Sequence, residues 1–163
     1  MTDAAPALFI AIEGSALGAA IRQSSVAYFL ANVGHIVFLM IFAGAIAVMD
    51  LRLVGAFANT APGRVVSYAR RTAMVAFLGM LLTGGVMFIA EASHIILNPV
   101  FQFKLALIGL GLLNVIAFQI FTAPKLADLP PQAPLPGAAR AAGIASLAIW
   151  IAVAICGRSI AYF

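Results

Sequence analysis

The chain has 163 residues, of which 64% are hydrophobic and 9% charged, with a formal net charge of +4 and a mean hydropathy of +1.13. A water-soluble domain of this length has too little interior to hide that much apolar surface, so lipid is the expected solvent and a separate soluble domain is excluded. The nine basic residues are scattered at segment ends, which excludes a nucleic-acid partner, and the single cysteine, Cys156, excludes an intrachain disulfide and reads as a small packing residue.

The first residues lack a basic leader region, and their apolar run is short and broken by Glu13, so no signal peptide is expected. Pro6 suits a first helical turn, and Leu8, Ile12, Ala16, Ala19 and Ala20 recur near helical spacing. Residues 6–22 are therefore expected as one short helix lying in the membrane interface. Four stretches follow, 27–49, 72–90, 101–123 and 141–163. Each meets the ~20 apolar residues that a bilayer core requires at ~1.5 Å rise per residue. The expected fold is all-α: one domain over 1–163, a four-helix transmembrane bundle with a short N-terminal interfacial helix.

Ser24 and Ser25 can cap the first span, which closes at Asp50-Leu51-Arg52. Residues 54–71 read as a loop holding Gly55, Asn59, Pro62, Gly63 and three arginines, Arg64, Arg70 and Arg71. The second span ends near Glu91 and His94. Asn98-Pro99 breaks the helix there, and so short a connection predicts a tight antiparallel hairpin of spans two and three. The third span stops at Pro124, and a proline-rich loop to Gly137 is expected to be extended.

The loops after spans one and three carry Arg52, Arg64, Arg70, Arg71, Lys125 and Arg140, against Arg22, Lys104 and Arg158 on the other side. Positive charge stays in the cytoplasm, so both termini are expected in the periplasm of a bacterial inner membrane. Helix contacts are expected at small residues: Gly34, Ala43 and Ala47; Gly79 and Thr83; Gly109; and a stripe of Ala141, Ala145, Ala148, Ala152 and Cys156. Gly109-Leu110-Gly111 is no nucleotide loop, because no strand precedes it.

Polar groups are costly in a membrane, so each calls for a reason. Asn32 and His35 share a face in the outer half of span one, and Glu91 and His94 are likewise three apart. With Lys104 and Arg158 they gather at the outer side. Three readings stay open. His35 and His94 are candidate axial ligands of a haem b, although His35 lies ~12 Å down its span and His94 near the surface. His35, Glu91 and His94 are a candidate mononuclear metal set of two histidines and a carboxylate. A di-iron centre is excluded, because Glu-x-x-His lacks enough further acids among Asp3, Glu13, Asp50 and Asp128. The third reading is structural: Asn32, Glu91, Lys104 and Arg158 form a polar cluster in which Glu91 pairs with Lys104 or Arg158.

At the inner side, Asp50, Arg52, Arg70 and Arg71 form a second cluster, where Asp50 is expected to pair with an arginine while the arginines anchor to lipid phosphates. Asn114 and Gln119 lie within span three, Asn114 with an interhelical hydrogen bond as its expected role. No catalytic triad, phosphate loop or carboxylate pair can be assembled.

His35-Ile36, residues 44–55 (GAIAVMDLRLVG), 98–104 (NPVFQFK) and 156–163 (CGRSIAYF) resemble a family of small bacterial four-span proteins filed as a domain of unknown function. The resemblance runs from about residue 24 onward and implies an inner-membrane four-helix protein without an assigned activity. It further implies an acidic residue three before the first-span histidine and a histidine near residue 119, where this chain has Asn32 and Gln119. The expected function is that of a non-catalytic subunit or anchor that packs against a membrane-protein partner or a second copy, with a redox module holding haem b or a metal as the alternative.

Overall fold

The computed structural model describes residues 5–163. Among these, all regular structure is helical: α1 (Ala7–Glu13), α2 (Ala16–Gln23), α3 (Ser25–Val54), α4 (Pro62–Ala90), α5 (Ala92–Ile95), α6 (Pro99–Phe121), a 3-10 turn (Ala123–Leu126) and α7 (Gly137–Ser159). α3, α4, α6 and α7 are long and apolar enough to cross a membrane. The fold is thus an all-α four-helix bundle of multi-pass membrane type.

Local chemistry sets most ends. The Ser24 hydroxyl accepts the Ala27 N–H at 3.2 Å to start α3. Gly55, at φ +118°, stops it, and the Ala56 N–H returns to the Leu51 carbonyl at 2.9 Å. Asn98 caps α6 by accepting from Val100 and Phe101, with Pro99 in the first turn. α4 begins at Pro62, ten residues before the expected span. Arg64, Arg70 and Arg71 therefore ride on a helix and not in a loop: hydropathy finds the lipid-facing portion of a helix, whereas proline at the first position finds its start. The N-terminal segment is two helices. Ser15 ends the first by donating to the Ile12 carbonyl at 2.6 Å and starts the second by accepting the Gly18 N–H at 3.1 Å.

Packing runs in the order α4–α3–α7–α6. α3 is the central helix, with α4 and α7 on its sides, and α6 rests on α7. The expected hairpin of spans two and three does not form, since α4 and α6 share no extensive interface. Small residues make the α3–α4 contact: a Cβ at Gly79 would lie 2.5 Å from the Phe38 ring, and one at Gly34 would lie 3.1 Å from Thr83 Cγ2. Ala43 and Gly109, however, are exposed. On α7 the buried face is Ala139, Gly143, Ser146, Trp150, Val153 and Cys156, rotated from the expected alanine stripe, of which Ala141 and Ala148 are exposed. Gly143 decides the face, because a Cβ there would meet Leu53 Cβ at 3.0 Å and the Asp50 carbonyl at 3.1 Å.

The loops after α3 and after the 3-10 turn are tied together. Gln132 N–H donates to the Ala58 carbonyl at 2.8 Å, and the Gln132 amide donates to Asn59 Oδ1 at 2.9 Å. The 3-10 turn folds under α4, burying Leu126 against Gly63.

Candidate functional site

The residues expected at the outer side do not gather into one cluster, although Lys104 comes near His35. His35 Nδ1 lies 3.1 Å from Thr83 Oγ1, and that hydroxyl also donates to the Gly79 carbonyl at 2.7 Å. The exposed Asn32 amide reaches Met87 Sδ at 3.8 Å. Glu91 is exposed at the end of α4 beside Tyr28. His94 is exposed on α5. Lys104 is half-buried against Gly157. Arg158 donates to the Tyr162 hydroxyl at 2.6 Å and stacks over its ring. The expected cluster of Asn32, Glu91, Lys104 and Arg158 is thus dispersed among separate neighbours.

Among the described residues no three His, Cys, Asp or Glu side chains are placed to hold a metal, so His35, Glu91 and His94 are not gathered into one set; Asp3 lies outside the described residues. For a haem, two imidazoles must face one iron. His35 sits at the level of Thr83, and the remaining turns of α4 to Ala90 put α5 about 10 Å further along the axis. The His35 ring also lies against α4, with Cε1 3.1 Å from where a Gly84 Cβ would be. This geometry does not fit a haem shared with His94.

What is built at the end of the bundle that carries α1, α2 and α5 is a clamp on these short helices. Glu13 Oε2 accepts from the Ser93 N–H at 2.8 Å and from the Ser93 hydroxyl at 2.5 Å. These bonds hold the Glu13 carboxyl below its ordinary range. Arg22 Nη1 donates to the carbonyls of Glu13 and Ala90, at 2.8 and 3.0 Å, closing the ends of α1 and α4. Phe88 stacks on Phe101 and takes the edge of Phe9.

The inner cluster divides. Arg71 is exposed. Arg52 is buried, its guanidinium donating twice to the Thr60 carbonyl at 2.9 and 3.2 Å. Asp50 turns away from it, and the expected Asp50–arginine pair does not form: both carboxylate oxygens are buried without a hydrogen-bond partner. Two residues apart on a helix, Asp50 and Arg52 face nearly opposite ways.

Asp50 faces a cavity of about 200 Å³ between α4 and α6, floored by α3 and α7. This slot exists because those two helices do not pack together. Its polar lining is Asp50, Arg70, Asn114, Ser146 and Trp150; its aromatic lining includes Phe42 and Phe77. Asn114 donates to the Ala142 carbonyl at 3.1 Å, the interhelical bond expected of it. Trp150 Nε1 and both Asp50 oxygens are buried without a well-formed hydrogen bond, and the buried Ser146 hydroxyl stands beside the Asp50 carboxylate. Asp50 is 1% exposed, Ser146 3% and Trp150 9%. Met74, Leu78 and Leu112 line the slot and are also exposed, so its rim meets the surrounding medium.

A model of the DUF6644 family, a family of unknown function, matches residues 8–163. The chain belongs to that family. No curated protein and no solved structure matches it. For this DUF6644 member the site therefore rests on its own geometry. Asp50 was visible in the sequence, but the slot was not. The available signal was spacing: Phe42, Ile46 and Asp50 recur every four residues on the buried face of α3, as do Ser146 and Trp150 on α7.

Proposed function

We propose that this protein binds a lipid-phase molecule, whose polar head enters the slot between α4 and α6 while its apolar part stays in the bilayer. The observation that carries this reading is a mostly apolar slot open to the surrounding medium, in whose walls the polar atoms of Asp50, Ser146 and Trp150 are buried without a well-formed hydrogen bond. An unsatisfied buried group costs about 1–3 kcal/mol, and more when charged, so a partner entering from the membrane would relieve several such costs together. Native mass spectrometry of the protein in mild detergent tests it. A retained lipid-phase adduct, diminished by S146A together with W150F, is expected. A bare protein, with Trp150 emission unchanged when lipid is added back, would defeat the proposal.

A second reading is favoured by the isolation of α6, which packs on α7 and buries only Gly111 and Phe118. A membrane helix covered on one side offers the other to a neighbour. On this reading the chain is a subunit or anchor in a bacterial inner membrane, with both termini periplasmic by the balance of basic residues. Purification in mild detergent should then recover a stoichiometric partner or a second copy; a solitary monodisperse monomer counts against it.

A further inference from the structure

The open surface of the slot is almost wholly apolar, and the polar residues that line it, Asp50, Arg70, Asn114, Ser146 and Trp150, are set in its walls. The Ser146 hydroxyl stands beside the Asp50 carboxylate, whose oxygens are the acceptors of the slot wall, and Trp150 Nε1 is a donor without an acceptor. Arg70 lines the same cavity. A complementary head must be cationic with N–H donors on one side and anionic or carbonyl-bearing on the other. Trp150 follows Ser146 by one helical turn, so its N–H lies about 6 Å deeper along α7. Beyond it the lining turns apolar, with Phe42 and Phe77 packed on the Trp150 ring at centroid distances of 4.7 and 6.0 Å.

Resting on the slot-binding reading, we propose that the occupant is a glycerophospholipid bearing a primary ammonium, of the phosphatidylethanolamine class. Its ammonium meets Asp50, its phosphate meets Arg70, an ester carbonyl meets Trp150 Nε1, and its acyl chains leave between α4 and α6 past Met74 and Leu112. The alternatives lack one half of the match. Choline heads have no N–H to donate to Asp50, phosphatidylglycerol has no cation, and a quinone ring supplies carbonyls for Trp150 but neither a cation for Asp50 nor an anion for Arg70.

Trp150 is the single tryptophan of the chain, so its fluorescence reports on the slot directly. The full chain is reconstituted in vesicles of phosphatidylglycerol mixed with one lipid of the series phosphatidylethanolamine, its N-methyl and N,N-dimethyl forms, and phosphatidylcholine. That lipid carries brominated acyl chains as quenchers. Quenching of Trp150 should fall stepwise as N–H donors are replaced, with about a tenfold preference for the primary ammonium over choline, the scale of one hydrogen bond to a charged group. Asp50→Asn should remove the preference and keep phospholipid quenching, whereas Arg70→Gln should weaken quenching by every lipid. Circular dichroism confirms that each variant is folded, and the lipid series on the wild-type chain decides the matter without them. Equal quenching across the series overturns the aminophospholipid while leaving a lipid-filled slot. No quenching by any brominated lipid overturns the slot reading as well.

Discussion

Gly63 is the position at which one added methyl group tests how the slot is held. It lies on the first turn of α4, and a Cβ there would sit 2.6 Å from the Leu126 carbonyl oxygen and 2.9 Å from both Cα and O of Ala127. All three are backbone atoms, so no rotamer change relieves the clash; the turn after α6 must move. Overpacking of this kind costs about 1–3 kcal/mol. Against it stands the gain of replacing a helical glycine by alanine, about 0.5–1 kcal/mol. Gly63→Ala should therefore destabilise the protein by roughly 1–2 kcal/mol. Gly85→Ala on the same helix, with nothing within 4 Å of its Cβ, should stabilise by about 0.5–1 kcal/mol. Equilibrium unfolding in mixed micelles of mild and denaturing detergent, followed by circular dichroism, measures both. Because the 3-10 turn touches both α4 and α6 at this end of the bundle, Gly63→Ala should also widen the slot and shift Trp150 emission to the red. Equal stability changes for the two alanines, with unaltered Trp150 emission, would refute the account of Gly63 as the tie.

Glu13 gives a pH dependence. Its carboxyl is held below the ordinary value of 4.5 by the two bonds from Ser93, so the clamp is fully present above that value and is lost as pH falls through the lowered one. Nitroxide labels at Leu8 and Leu97 should show a distance distribution that broadens on acidification, and Ser93→Ala should broaden it already at neutral pH; broadening on raising the pH would contradict the sign. His35→Ala should cost about 0.5–1 kcal/mol, the scale of an interhelical hydrogen bond in a membrane, with no change in the visible absorption spectrum. A Soret band lost on that substitution would restore the haem reading. In a Cys156→Ala background, cysteines at Ala58 and Leu97 should label from opposite sides of the membrane, and labelling from one side would refute α4 as the single span between them.

The spans and several caps were legible because each depends on a short stretch of chain: an apolar run, Asn98-Pro99, Gly55. The order of helices was not. In lipid a helix is apolar on every side, so α6 and α3 show no polar face to mark what points outward. Size alone misdirected the reading of α7, where an alanine stripe was expected to pack and Gly143 with Trp150 did so instead. A Cβ on Gly111 would approach the Trp150 ring at 2.9 Å, a pairing between helices that no local pattern announces. Sequence spacing did not give the neighbours of Glu91 and Arg158, which are Tyr28 and Tyr162. Glu13, passed over as an interruption of an apolar run, is the residue that fixes α1 to α5.

A packing role alone does not account for Asp50. A carboxylate whose purpose is to fix helix register should hold a partner, as Asn114 holds the Ala142 carbonyl and His35 holds Thr83. Arg52 was available two residues away and is instead committed to Thr60. Arg70 lines the same cavity but stands apart from Asp50, leaving the slot between an acid and a base that do not neutralise each other. A bundle selected for stability would close that gap, because an ion pair or a leucine at residue 50 costs less than an unpartnered carboxylate. Keeping the two charges apart makes physical sense when a third group lies between them. Asp50→Leu therefore separates the two accounts. In delipidated protein it should raise stability by about 1–3 kcal/mol, and that gain should shrink when phosphatidylethanolamine is present, because the wild-type chain binds its ammonium and is stabilised more than the variant. A loss of stability in the delipidated protein would show that Asp50 serves the fold itself.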